Sequence, residues 1–215
     1  MKNNFVQIIE NYDPLVRVSE KDFILEPVYF NNGIAPNPDI FIRQNVLYML
    51  LSAKKNLPTG MNFKIWDGYR ILKVQKKLYD DLWELRQSQN PEWSSEKLKI
   101  EVEKFVGLPS FDPFSPSQHN TGGAVDLTIV RDDHTELKMG TDFDEFHERS
   151  YANYFDSLGD RDSKAFSSNR TLLKSILCDA GFAPYEWEWW HFAFGNQHWA
   201  KYYGKDVAIY GSMEL

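Results

Sequence analysis

The chain has 215 residues, 42% of them apolar, enough to bury one substantial core, and one domain spanning residues 1–215 is expected. Its formal charge of -7 argues against the basic field of a nucleic-acid binder. A single cysteine, Cys178, rules out an intramolecular disulfide. Residues 1–10 show no long apolar run followed by a small-residue cleavage site, so a cytoplasmic protein is expected.

Asn37-Pro38-Asp39 offers a cap, a proline suited to a first helical turn and an early acid. Ile42, Val46, Leu47, Leu50 and Leu51 follow at helical spacing, so a first helix is expected from there to about Lys55. Met61 to Trp66 alternates like a strand and ends at Asp67-Gly68, and Val74 to Leu85 returns to helical periodicity. Ser94 to Val106, with Leu98, Val102 and Val106 spaced by four, predicts a third helix ending before Gly107. From Gly123, Val125, Leu127 and Ile129 alternate with Ala124, Asp126 and Thr128, the period of a strand whose Asp126 points away from Val125 and Leu127. Asn169 to Ala180 is helical in spacing, with Cys178 on it as a small core residue, and the aromatic stretch Phe182 to Phe194 favours extended structure. Helices first and strands later suggest an α+β fold.

Two segments carry chemistry. In Ser117-Gln118-His119-Asn120-Thr121-Gly122-Gly123-Ala124-Val125-Asp126 an imidazole lies in a loop, two glycines permit a tight turn, and a carboxylate follows on a strand, so both side chains can reach one metal ion. In Glu186-Trp187-Glu188-Trp189-Trp190-His191 two acids and a histidine sit among tryptophans, where burial is unfavourable unless they are paired or coordinated. A zinc hydrolase needs about three protein ligands, an open water position and a nearby unligated glutamate. His119, Asp126 and His191 with Glu188 meet that requirement. Either segment alone is also what a surface loop or an aromatic core shows. His134, among Arg131, Asp132, Asp133 and Glu136, reads as an exposed turn, and His147 and His198 lack a glycine turn or a well-spaced acid, so all three are read as non-ligands. Arg70, just after the predicted strand, suits either an oxyanion donor or a structural ion pair, and spacing alone favours the ion pair.

Together the segments resemble the D-alanyl-D-alanine dipeptidases, zinc peptidases related to D,D-carboxypeptidases and the hedgehog fold. Four ordered blocks carry the resemblance: Trp66-Asp67-Gly68-Tyr69-Arg70; Ser117-x-His119-x-x-Gly122-x-Ala124-x-Asp126-Leu127-Thr128; Met139-Gly140-Thr141-x-Phe143-Asp144; and Glu188-Trp189-Trp190-His191. The resemblance implies one zinc ion per chain on His119, Asp126 and His191, with Glu188 as general base and acid. It implies that Arg70 stabilises the tetrahedral intermediate, that Asp144 receives the substrate's free amino group, and that Ser117 lines the substrate pocket. It also implies a small antiparallel sheet flanked by helices and a D,D-dipeptide substrate. From the charge and the lack of a bilayer-length apolar run, no nucleic-acid or membrane partner is expected, and no obligatory protein partner is evident.

Ile71 stands where the family commonly has proline, and residues 31–36 and 156–168 match less clearly. A D,D-carboxypeptidase or stem-peptide endopeptidase is the alternative enzyme. A non-catalytic module retaining the zinc scaffold is the alternative of another class.

Overall fold

The computed structural model describes residues 6–110 and 112–214. The opening of the segment scanned for an export signal, residues 1–5, lies outside the described residues. In chain order the elements are β1 (Gln7–Ile8), β2 (Leu15–Arg17), β3 (Ile24–Leu25), α1 (Val28–Asn31), β4 (Phe41–Arg43), α2 (Gln44–Lys54), β5 (Met61–Asp67), α3 (Leu72–Gln89), α4 (Ser95–Glu103), β6 (Ala124–Arg131), α5 (Arg161–Asp179), β7 (Ala183–Pro184), β8 (His191–Ala193), α6 (Gln197–Tyr202) and β9 (Val207–Ala208). Helices and a small sheet share the fold, as expected for α+β. The sheet runs β3-β5-β6-β8-β7 and is antiparallel throughout except at its edge, where β3 pairs with β5 in parallel.

The alternation along β6 decides where the core and the chemistry lie. Val125, Leu127 and Ile129 pack with Val46, Leu50 and Ala53 of α2 and with Leu173, Ile176 and Leu177 of α5, in one buried apolar cluster. Asp126 therefore projects to the opposite face. That face is covered as well, and β6 is buried from Ala124 to Val130.

A β-bulge sets the second row. Ile65 pairs with Leu127, but the register then shifts and Asp67, rather than Trp66, pairs with Asp126. Directly opposed residues share a face, so the inserted residue carries Asp67 to the face that Asp126 occupies. On the other side Asp126 pairs with His191 of β8. Asp67, Asp126 and His191 thus form one row across three strands.

The expected elements need three adjustments. The helix predicted from Asn37 begins only at Gln44, because residues 41–43 form β4 against β2 and Arg43 donates its backbone N–H to the Gly122 carbonyl. Tertiary hydrogen bonding overrides the helical spacing of Ile42. The helix predicted from Asn169 begins at Arg161, where Asp160 caps it by accepting the Ser163 backbone N–H at 2.9 Å. The stretch 182–194 is extended only at its ends, in β7 and β8, and the turn between them carries Glu188. Helices α3 and α4 form a hairpin with an apolar cluster of their own, including Tyr79, Leu82, Leu98 and Val102.

Candidate metal centre and its pocket

His119 opens a single 3-10 turn, His119–Thr121, that ends at Gly122 with φ +69°, a backbone conformation that glycine adopts without strain. The Gly122 N–H donates to the His119 carbonyl at 3.1 Å, and the chain then enters β6. This turn swings His119 over the face bearing Asp126. A further tie comes from the loop after β5, where the Gly68 carbonyl accepts from His119 Nδ1 at 2.7 Å. With Nδ1 carrying the proton, Nε2 is left with a lone pair.

His191 is held by an equally directed chain. Asn196 Oδ1 accepts the Trp199 backbone N–H, so its Nδ2 faces Gln118 and donates to Gln118 Oε1. That same oxygen faces His191 Nε2 at 3.2 Å, so Nε2 carries the proton and Nδ1 presents its lone pair. Burial, against the opposing pull of Asp126, lowers the His191 imidazole to about 4, and the ring is neutral at pH 7. The Asp126 carboxyl is held below its usual range despite its burial and is ionised.

Three electron-pair donors therefore converge. His119 Nε2 lies 3.1 Å from His191 Nδ1 and 3.3 Å from Asp126 Oδ2, and His191 Nδ1 lies 3.0 Å from Asp126 Oδ1. Two facing nitrogen lone pairs beside a carboxylate repel unless a cation stands among them, and this donor set suits zinc. Among the described residues, these are the one group of His, Cys or acidic side chains close enough to hold a metal ion. The other histidines are engaged elsewhere: His147 with Glu145, His198 with the Pro184 carbonyl, and His134 in an exposed turn with φ +65°.

The remaining expected site residues meet at the same place. One cleft is lined by His119, Asp126 and His191 together with Arg70, Ser117, Asp144 and Glu188. Glu188 Oε2 lies 3.9 Å from His191 Nδ1. Burial, reinforced by Asp126 and Asp144, raises its carboxyl well above the usual value. Ser117 Oγ is buried and has no protein partner among the described residues. Asp144 has φ +59°, a strained backbone for a residue with a side chain, of the kind found at functional sites. Burial, against the pull of Arg70, raises its carboxyl to about 7.

Arg70 forms the ion pair that its spacing favours. It is paired with Asp67, with Nε donating at 2.9 Å and Nη2 at 2.8 Å from Oδ2, and it also lines the cleft. Tyr29 adds a contact that the sequence did not disclose: its hydroxyl accepts from Arg70 Nη2 at 3.2 Å. Arg170 of α5 is another. Buried, it donates to the carbonyls of Met139, Tyr151 and Arg149 and so braces the loop that carries Asp144. An arginine inside an otherwise amphipathic helix is the only sequence signal for that brace.

Comparison with known proteins adds an independent line. A family described as D-ala-D-ala dipeptidase matches residues 35–208. The D-alanyl-D-alanine dipeptidase of Synechocystis sp. is 32% identical over 196 residues, covering 80% of this chain and 79% of its own. That of Enterococcus faecium is 30% identical over 156 residues, covering 72% and 73%. Among solved structures, VanYB in complex with D-Alanine-D-Alanine superposes with a TM-score of 0.48 at 17% identity, covering 80% of this chain and 82% of that one.

Proposed function

From the premise that this chain belongs to the D-ala-D-ala dipeptidase family, we propose that it hydrolyses the free D-alanyl-D-alanine dipeptide to two D-alanines. One zinc ion on His119, Asp126 and His191 is its cofactor. The observation that carries this reading is the convergence of three oriented lone pairs beside an unligated glutamate and an arginine in one cleft.

When bound, the metal supplies Lewis acidity, polarising the scissile carbonyl and acidifying the attacking water. Glu188 takes the water's proton on its carboxylate and returns it to the nitrogen of the leaving D-alanine. Arg70 donates an N–H to the oxyanion as it forms. Asp144, in its carboxylate form, receives the substrate's ammonium group. Ser117 offers its unpartnered hydroxyl to the substrate within the cleft.

Asp144 also favours a dipeptide over a longer peptide. A buried carboxylate gains a partner from a free amino terminus, whereas an amide nitrogen in its place leaves the charge unpaired. Parallel assays of D-Ala-D-Ala and of a stem pentapeptide ending in D-Ala-D-Ala test this. The dipeptide should be hydrolysed with much the higher kcat/KM, and preference for the pentapeptide assigns a D,D-carboxypeptidase instead.

A further inference from the structure

Arg70 carries five N–H donors, and their partners can be counted. Nε donates to Asp67 Oδ2, and Nη2 is shared between Asp67 Oδ2 and the Tyr29 hydroxyl, with Asp126 Oδ2 at 3.5 Å beyond them. Nη1 has a single protein acceptor among the described residues, Gln75 Oε1 at 2.9 Å. One N–H on Nη1 is therefore left for a substrate oxygen, and its direction depends on where Gln75 holds the other.

Gln75 is well placed to hold it. The residue lies in the second turn of α3 and is 2% exposed, an unusual burial for an amide side chain. Its Nε2 donates to the Gly107 carbonyl at 2.6 Å, which leaves only Oε1 to face the guanidinium. Gly107 follows α4 and, with Phe105 and Val106, forms a wall of the cleft. A single amide thus ties the free Nη1 donor to the edge of the α3–α4 hairpin.

We propose that Gln75 is a positioning residue for the reaction, aligning the unshared Nη1 N–H of Arg70 with the oxyanion and anchoring the Gly107 edge of the cleft to it. This rests on the reading that the chain hydrolyses D-Ala-D-Ala with Arg70 as oxyanion donor. Asp67 fixes the guanidinium at its Nε side and Tyr29 at Nη2, so loss of Gln75 leaves the ion pair intact and frees only the end that meets substrate.

The test is a double-mutant cycle on the zinc-loaded full chain, with kcat and KM for D-Ala-D-Ala measured for wild type, Gln75→Met, Arg70→Ala and the double variant. Gln75→Met should lower kcat by about tenfold to a hundredfold, the scale of a misplaced catalytic group, with KM changed less than about threefold. In the Arg70→Ala background the same substitution should cost almost nothing, because the group it aligns is gone. An equal loss in both backgrounds, or an unchanged kcat in Gln75→Met, overturns the proposal. If Gln75→Met does not fold, Gln75→Asn, whose amide is one methylene too short to span from Gly107 to Arg70, is compared in the two backgrounds by the same criterion. A zinc-loaded wild type with no D-Ala-D-Ala turnover instead removes the reading beneath, and this proposal with it.

Discussion

Asp67 and Asp126 stand opposite each other across β5 and β6, and Arg70 lies against both, with Nη2 at 2.8 Å from Asp67 Oδ2 and 3.5 Å from Asp126 Oδ2. Two buried carboxylates in one row repel, and the guanidinium between them is what makes the row tenable. Removing Asp67 leaves a buried cation without its principal partner, a change that typically costs about 3–5 kcal/mol. Asp67→Ala should therefore lower the stability of the metal-free protein by that order in urea denaturation. A loss below about 1 kcal/mol would show that Asp126 alone suffices as partner.

Gln118 fixes the tautomer of His191 through its Oε1. Partners of this kind typically contribute about tenfold to a hundredfold in metal affinity. Gln118→Leu should weaken zinc binding by that factor in chelator competition at pH 7.5, and wild-type affinity would mean that the imidazole is oriented without the amide.

Glu188 is adjacent to the three convergent donor atoms but is not one of them. Glu188→Gln should retain one zinc per chain while turnover falls about 10²-fold or more. Turnover close to wild type would take the base away from this residue.

The pH dependence of stability tests the environment of Asp144. Its carboxyl is raised from 3.8 to about 7, with burial as the main cause. Between those values the folded chain keeps a proton that the unfolded chain has released, so this group's contribution to stability falls as pH rises and levels off above about 7. Asp144→Asn removes the titration. Metal-free Asp144→Asn should gain stability relative to wild type between pH 4 and 8, read by denaturation midpoints at several pH values; a constant difference across the range would contradict the assigned burial.

Much of this was legible in the chain itself, because the chemistry is carried by short local patterns. The strand bearing Asp126 follows from the alternation of Val125, Leu127 and Ile129, and the turn at Gly122 is visible in the sequence. The cluster of His119, Asp126 and His191 follows from two segments read together, since either alone is also what a surface loop or an aromatic core shows. What escaped depends on contacts that no local pattern records. Asp67 faces the site only through a one-residue register shift, although the residue itself lies in a recognised block. Tyr29 meets Arg70 across 41 positions and Gln118 meets His191 across 73. The helix expected over 37–55 loses its first turns because β2 claims their backbone hydrogen bonds, a pairing of short strands with no periodicity of their own.

The most direct test of the central claim is D-Ala-D-Ala hydrolysis followed through chelation and stepwise zinc return, with L-Ala-L-Ala in parallel. Turnover of the D,D-dipeptide should vanish with the metal and return in full at about one zinc per chain, and the L,L-dipeptide should be cleaved far more slowly. Undiminished turnover after complete metal removal, or none in the zinc-loaded chain, would contradict the account.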